Sequence, residues 1–124
     1  MQALVRDVLE IDFTSLTGGE PASLPAEALI NAWRENLHRG KPSFHLRTHF
    51  RICVDGDTAS CVSHGYALNV LRRDGDDGDL WEAWGWYTHA LQRFTDGWRC
   101  TGMKIDVLHT RGNGEAVQTS PLDA

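Results

Sequence analysis

The feature that most constrains the fold is a series of four long segments, between residues 43 and 110, in which apolar and polar residues alternate. In chain order they are FHLRTHFRICV, TASCVSHGYALNVL, LWEAWGWYTHALQRF and WRCTGMKIDVLHT. Asp55-Gly56 separates the first two and Asp96-Gly97 the last two, and Asp-Gly between such segments is a strong hairpin signal. A polar stretch, RRDGDDGD, joins the middle pair. The pattern predicts an antiparallel meander of four strands.

One helix is predicted before the meander, in the segment SLPAEALINAWRENLHRGKP. Ser23 and Pro25 mark its start, and residues 38–42 supply the cationic last turn, the glycine and the proline that end a helix. The upstream segment IDFTSL is predicted to form a short strand. Together these elements predict an α+β domain in which a curved sheet wraps one face around the helix. The apolar stripe of the helix contains Ala26, Ile30, Trp33 and Leu37.

Length and composition favour a single soluble domain. A chain of 124 residues with 41% hydrophobic and 23% charged residues suits one hydrophobic core. No apolar periodicity follows the fourth alternating segment. We therefore expect one domain over residues 1–111 and a flexible C-terminal tail over residues 112–124.

Charge and hydropathy argue against nucleic acid and membranes as partners. The formal net charge is -5, and Lys and Arg form no cluster larger than a dipeptide, so the basic footprint of a nucleic-acid binder is absent. No stretch approaches the roughly 18 apolar residues of a membrane span. Charged side chains among the first ten residues interrupt any signal peptide, which indicates a cytoplasmic protein. Three widely spaced cysteines indicate free thiols rather than disulfides.

The polar positions of SFHLRTHFRICVDGDTA leave three alternatives: a metal site, a histidine in a pocket, or the solvent-facing side of a strand. His45 and His49 form H-x-x-x-H, but four residues of a strand span roughly 13 Å, too far for one ion, so we expect no metal. Strict alternation puts four polar side chains on one side of the strand, and these are His45, Arg47, His49 and Arg51. That side is either solvent-facing or part of a pocket wall, and a β-bulge would turn part of the strand over.

Five stretches support a family resemblance by their order and spacing: IDFTSLTGGEP, a helix carrying Trp33, SFHLRTHFRICVDGDTA, WGWYTHAL and DGWRC. Through them, residues 8–108 resemble the SnoaL-like branch of the NTF2-like superfamily, the branch of polyketide cyclases and scytalone dehydratase. The resemblance implies a cone-shaped, curved antiparallel sheet packed on helices, the cystatin-like α+β roll. It also implies an apolar pocket inside the cone, no cofactor, and frequently a homodimer through the outer face of the sheet.

The resemblance nominates polar site residues. Dehydratases of this branch carry a general-base histidine at the start of the strand after the tryptophan-bearing helix, and SFH puts His45 there. The family tyrosine that polarises the substrate carbonyl corresponds to Phe13, which has no hydroxyl, so Tyr87 or Asn69 is expected to replace it. Asn69 aligns with a second family histidine. His64 lies nearby on the same strand.

The walls of the implied pocket are expected to be apolar, as in most ligand sites. Relatives begin with a long helix that covers the mouth of the cone and carries the acidic partner of the histidine, whereas this chain starts near the end of the second helical segment of that pattern. We expect a partner chain, through MQALVRDVL or the aromatic strand faces, or a helix upstream of Met1, to provide the cover. The predicted wall residues are Phe13, Leu29, Trp33, Trp84 and Trp86.

Three functional hypotheses result. The first is a homodimer that binds a small hydrophobic or aromatic polar molecule. The second is a cofactor-independent dehydratase or isomerase in which His45 removes a proton next to a carbonyl. It predicts His45 in a closed cavity, hydrogen-bonded to a carboxylate or hydroxyl. The third is a non-catalytic dimerisation or assembly module, which predicts a filled interior.

Overall fold

A six-stranded sheet with two helices makes up the part of the chain that the computed structural model describes, residues 4–36, 41–71 and 79–113. The strand order is β2-β1-β6-β5-β4-β3. Neighbouring strands are antiparallel, except that β1 and β6 run parallel. No helix in these ranges is long and apolar enough to cross a membrane. The elements are β1 (Val5–Asp12), α1 (Thr14–Thr17), β2 (Ala22–Pro25), α2 (Ala26–Asn36), β3 (Ser43–Asp55), β4 (Thr58–Leu71), β5 (Asp79–Phe94) and β6 (Gly97–Gly112).

The predicted meander is confirmed, since β3, β4, β5 and β6 pair in succession. Gly56 has φ 60° and Gly97 has φ 123°, which explains why the two Asp-Gly pairs form tight turns. Most of the polar connection RRDGDDGD, at residues 72–78, lies outside the described residues. So does most of the predicted tail, although β6 continues to Gly112.

The prediction that IDFTSL forms one strand is wrong, because β1 ends at Asp12. The carboxylate of Asp12 accepts hydrogen bonds from the Thr14 backbone N–H (3.2 Å) and hydroxyl (2.6 Å), and this local bonding turns the chain into α1. The same bonds to Thr14 lower the pKa of Asp12. The carbonyl of Phe13 accepts the first helical bonds, from the N–H groups of Leu16 and Thr17 at 3.0 Å.

Of the two residues predicted to mark the start of the long helix, Pro25 directly precedes α2, which begins at Ala26, whereas Ser23 lies within β2. The Ser23 hydroxyl donates to the two carboxylate oxygens of Glu10 at 2.7 and 2.8 Å, so it ties β2 to β1 instead of capping a helix. The described part of α2 ends at Asn36, and the predicted stop at residues 38–40 falls outside it.

The main core lies where α2 packs on β1 and the start of β6. Leu29 of α2 is fully buried and Leu9 of β1 is 1% exposed. A smaller cluster joins Trp81 and Ala83 of β5 to Leu16 of α1. The buried residues of the main core are Val5, Leu9, Ile11, Ala26, Leu29, Ile30 and Cys100.

The substitution Leu29→Ala tests the main core. Because the side chain is fully buried, its truncation should lower the free energy of unfolding in urea by about 2–5 kcal/mol. The control Glu35→Ala, on the exposed side of the same helix, should change it by less than about 0.5 kcal/mol. Equal effects of the two changes would contradict the packing of α2 on β1.

Candidate functional site

An open cavity of about 740 Å³ lies against the inner face of the sheet, between β3–β6 and the segment that contains β1, α1 and β2. Its wall is mostly apolar, with Trp81, Met103 and Ile105 among the residues that border it. The polar side chains at its border include His45, Arg47, Asn69, Tyr87 and His89. They come from β3, β4 and β5, so the sheet itself positions them.

Small residues at the centre of the sheet create the space. In the register of β4 and β5, Gly65 pairs with Gly85 and Ala67 pairs with Ala83. These positions share the inner face because side chains on a strand alternate between its two sides. The large residues between them, such as Tyr66, therefore point to the outer face, and little side-chain bulk enters the hollow over the middle of β4.

His45, which the family resemblance nominated, lies in β3 opposite Ala67 and borders the cavity. The ring is open to the cavity, yet the surrounding protein desolvates it enough to lower its pKa, and the charge of Arg47 lowers that pKa further. His45 makes no hydrogen bond to any residue in the described ranges. At neutral pH the imidazole is therefore neutral and able to accept a proton, but it has no carboxylate partner there.

Arg47 stands two residues further along β3 and also faces the cavity. Its guanidinium carbon lies 3.2 Å from the ring centroid of Tyr87. Gly65, between them on β4, makes this contact feasible, because a Cβ at that position would overlap the Tyr87 ring and lie 2.9 Å from Nη1 of Arg47. Arg47 and Tyr87 therefore meet above the middle strand.

Asn69 and His89 complete the polar group. Asn69 is 7% exposed and lies on β4 opposite Trp81. Burial and the charge of Arg47 lower the pKa of His89, as they do that of His45. Neither Arg47 nor His89 was predicted from the sequence to be a site residue. The alternation of side chains along a strand could have identified them, because Arg47 lies two residues after His45 on β3 and His89 lies two residues after Tyr87 on β5.

Several predicted site residues lie elsewhere. Phe13 and Trp33 border the cavity, as do His45, Asn69 and Tyr87, and the roles of all five stay predictions. Leu29 does not border it, because it is buried between α2 and β1. The remaining three nominated residues, on the outer face of the sheet, are His64, Trp84 and Trp86.

Strand parity explains the three outer positions. The ring of His64 stacks on His49 with centroids 4.9 Å apart and meets Trp86 edge-on at 6.1 Å. Trp84 borders the cavity, but its ring packs against Tyr66 at 5.4 Å on the outer face. The prediction of Trp86 as a wall residue assumed that large apolar side chains of β5 face the hollow, whereas Gly85 borders it instead. Trp84 borders the cavity, and its role stays a prediction.

A bulge in β3 corrects the predicted alternation. The register shifts between Thr48 and Arg51, where two residues of β3 oppose Ser63, and His49 has φ 55°. Before the bulge, odd-numbered residues such as His45 lie on the inner side of the sheet. After it, the even-numbered residues lie on that side. His49 and His45 therefore lie on opposite faces of the sheet.

Two other features of the described residues are weaker candidates for a site. No three His, Cys, Asp or Glu side chains within the described ranges come together as metal ligands. A smaller hollow of about 370 Å³ beside Arg6 and Phe94 is polar, and its charges are engaged, since Arg99 pairs with Asp96 and Arg6 lies over the ring of Phe94. The large cavity is therefore the stronger candidate.

Comparison with known proteins identifies the family. The SnoaL-like domain model matches residues 3–104. No curated protein matches the sequence significantly. The Kfla4162 protein from Kribbella flavida is 28% identical, with a TM-score of 0.83 over 93% of this chain and 78% of that chain.

Two proteins from Novosphingobium aromaticivorans share the fold at lower identity. One, provisionally named a scytalone dehydratase, is 14% identical, with a TM-score of 0.66 over 88% of this chain and 69% of that chain. The other, an NTF2-like protein with a cystatin-like fold, is 20% identical, with a TM-score of 0.54 over 86% of this chain and 66% of that chain. The curved open sheet has the NTF2-like, cystatin-like fold of these structures. Because the domain model matches residues 3–104, the chain belongs to the SnoaL-like domain family.

Proposed function

We propose that the protein binds a small molecule with an apolar or aromatic body and a polar group in the cavity. The observation that carries this proposal is a hollow of about 740 Å³ with a mostly apolar wall and a few convergent polar side chains. Ligand sites in proteins typically have roughly 300–1,000 Å³ and this composition. The fold alone does not assign the function, because NTF2-like folds serve several chemistries.

The arrangement of the wall suits a ligand with two different ends. Trp33 and Trp81 offer aromatic surface, and His45, Asn69 and Tyr87 offer groups that donate or accept hydrogen bonds. An assembly module with a filled interior is disfavoured, because the described residues enclose an open space of this size.

A large side chain that fills the cavity should weaken ligand binding strongly. In Ala67→Phe, the added ring enters the space opposite Ala83 and should weaken binding of 2-naphthamide, a neutral aromatic probe, by more than about tenfold. The control Leu68→Phe places the same ring on the outer side of the same strand and should bind like the wild type. Saturation-transfer NMR measures the binding. Equal weakening by both changes, or none by Ala67→Phe, would reject the cavity as the binding site.

A second candidate function is proton abstraction next to a carbonyl, as in a dehydratase or isomerase. It is supported by the lowered pKa of His45, which keeps the imidazole in the basic form at neutral pH, and by Tyr87 at the border of the same cavity as a hydroxyl donor. No carboxylate among the described residues is hydrogen-bonded to His45, and this weighs against a large rate enhancement. Binding is therefore the first proposal.

Exchange of the α-protons of 2-tetralone in deuterium oxide tests this second function. Wild-type protein should accelerate exchange by about 10²-fold, and His45→Gln should remove the acceleration. Because the pKa of His45 lies below its ordinary value of 6.5, the acceleration should persist at pH 6.5 and fall at lower pH, as the ring becomes protonated. His64→Gln, on the outer face, should leave the rate unchanged. Bound 2-tetralone without exchange would reject catalysis and leave binding.

We also propose that a second copy of the chain covers the outer face of β3–β5. Phe44, Leu46 and Trp86 are 57%, 48% and 37% exposed there, beside the rings of Tyr66 and Trp84. Exposed apolar patches of this kind are typical of protein interfaces. The alternative route, through MQALVRDVL, is less favoured because Val5–Asp12 already pairs as β1 within its own sheet.

Light scattering at micromolar concentration should give twice the chain mass of 13.9 kDa. Leu46→Glu should yield monomer, because a dimer through this face would bury the new charge. The control Val8→Glu changes a side chain that is 54% exposed on β1, four strands away in the sheet order, and should stay dimeric. Monomeric wild-type protein would overturn the proposal.

A further inference from the structure

We propose that the cavity selects ligands that carry a carboxylate, and that Arg47 binds this carboxylate while the apolar wall holds an aromatic body. The inference deepens the proposed binding function and rests on it. It is carried by the position of the Arg47 side chain, its missing counter-charge and the geometry of its stack on Tyr87.

The sheet holds the Arg47 guanidinium in a defined place. Arg47 pairs with Gly65, which pairs with Gly85, so a row without side chains crosses β4 and β5 beside it. The guanidinium extends along this row and stacks on the ring of Tyr87 at 3.2 Å. Stacking occupies a face of the planar group and leaves its N–H edges for hydrogen bonds in the plane.

The charge of Arg47 has no partner within the described ranges. Nη1 is buried and donates no hydrogen bond there, and none of the ion pairs found among the described residues includes this side chain. Among the described residues that border the cavity, Glu20 is the one carboxylate, and it is exposed. A guanidinium is always charged, and a partly desolvated charge is costly unless an opposite charge pairs with it. A ligand anion would supply that missing pairing.

The surroundings favour a planar monoanion. The forked edge of a guanidinium matches a carboxylate with two parallel hydrogen bonds, which are about twice as strong as neutral ones. Lys41, which is 3% exposed, adds a second basic side chain at the border of the cavity. The charge of Arg47 is felt at both His45 and His89, where it contributes to lowering the pKa. The aromatic side chains of the wall suit the apolar remainder of such a ligand.

A matched pair of probes tests the inference. 2-Naphthoate and 2-naphthamide have nearly the same shape and differ in charge. Calorimetric titration of the wild-type protein should show 2-naphthoate binding about tenfold more tightly or better. Wild-type protein that binds the amide as tightly as the carboxylate would overturn the inference and leave the proposed binding function standing. Binding of neither probe would overturn both.

Substitutions then locate the preference. Arg47→Met keeps an apolar chain on Tyr87 but removes the charge, so it should lose the preference for 2-naphthoate and keep 2-naphthamide binding. Arg47→Lys, which keeps the charge without the fork, should retain part of the preference. The control Arg51→Met lies on β3 beyond the bulge and should bind both probes like the wild type. An unchanged preference in Arg47→Met would contradict the role of Arg47.

A second measurement needs no variant, so it holds even if Arg47→Met does not fold. Desolvation is the larger cause of the lowered pKa of His45 and His89, and the charge of Arg47 adds to it. A carboxylate on Arg47 offsets that added charge, so NMR titration should find both pKa values raised by 2-naphthoate. The neutral amide lacks this compensating charge and should raise them less. Equal pKa values in the two complexes would show that the anion does not sit on Arg47.

Discussion

The small size of the central side chains on the inner face of β4 and β5 sets the shape of the interior. Gly65 of β4 pairs with Gly85 of β5 there, and two residues further along β4, Ala67 pairs with Ala83. Larger groups therefore reach the hollow from the neighbouring strands, from positions of β4 and β5 beyond these rows, and from the segment that contains β1, α1 and β2. This is why Arg47 of β3 and Tyr87 of β5, which are separated by a whole strand, meet in one stack. If larger residues occupied the central rows, the same sheet would have a filled core and the polar side chains would remain apart.

Much of the fold was predictable because long alternating segments and Asp-Gly turns are local signals, and the four meander strands form where those signals lie. The boundaries around residues 11–26 were not predictable in the same way. They depend on a carboxylate of Asp12 that turns the chain and on a hydroxyl of Ser23 that bonds to the neighbouring strand. The parallel pairing of β1 with β6 joins opposite ends of the chain, so no local pattern announces it.

The site was predictable in part. The family resemblance nominated His45, which borders the cavity. The predicted wall residues, however, were large, whereas a hollow requires small residues on the face that lines it. The sequences HGYALN and WEAWGWY already contain alternate small residues, and these mark the inner face. Arg47 went unrecognised because a charge on a strand is ordinarily solvated. Its importance depends on the glycine row and on the absence of a carboxylate beside it within the described residues, which only the three-dimensional arrangement reveals. Such an interior also costs stability, because space that side chains do not fill loses packing contacts.

The left-handed bulge at His49 gives β3 two independent halves. Because the side-chain repeat of a strand is two residues, one extra residue exchanges the faces on one side of the insertion and leaves the other side untouched. The half that ends at Asp55 is fixed by its tight turn, whereas the half that begins at Ser43 presents the imidazole and the guanidinium to the hollow. Deletion or insertion of a single residue at this point would change which side chains of β3 face the interior and would keep the hairpin intact. Chains with this fold can therefore differ in the polar groups that line their interiors while their sheets superpose.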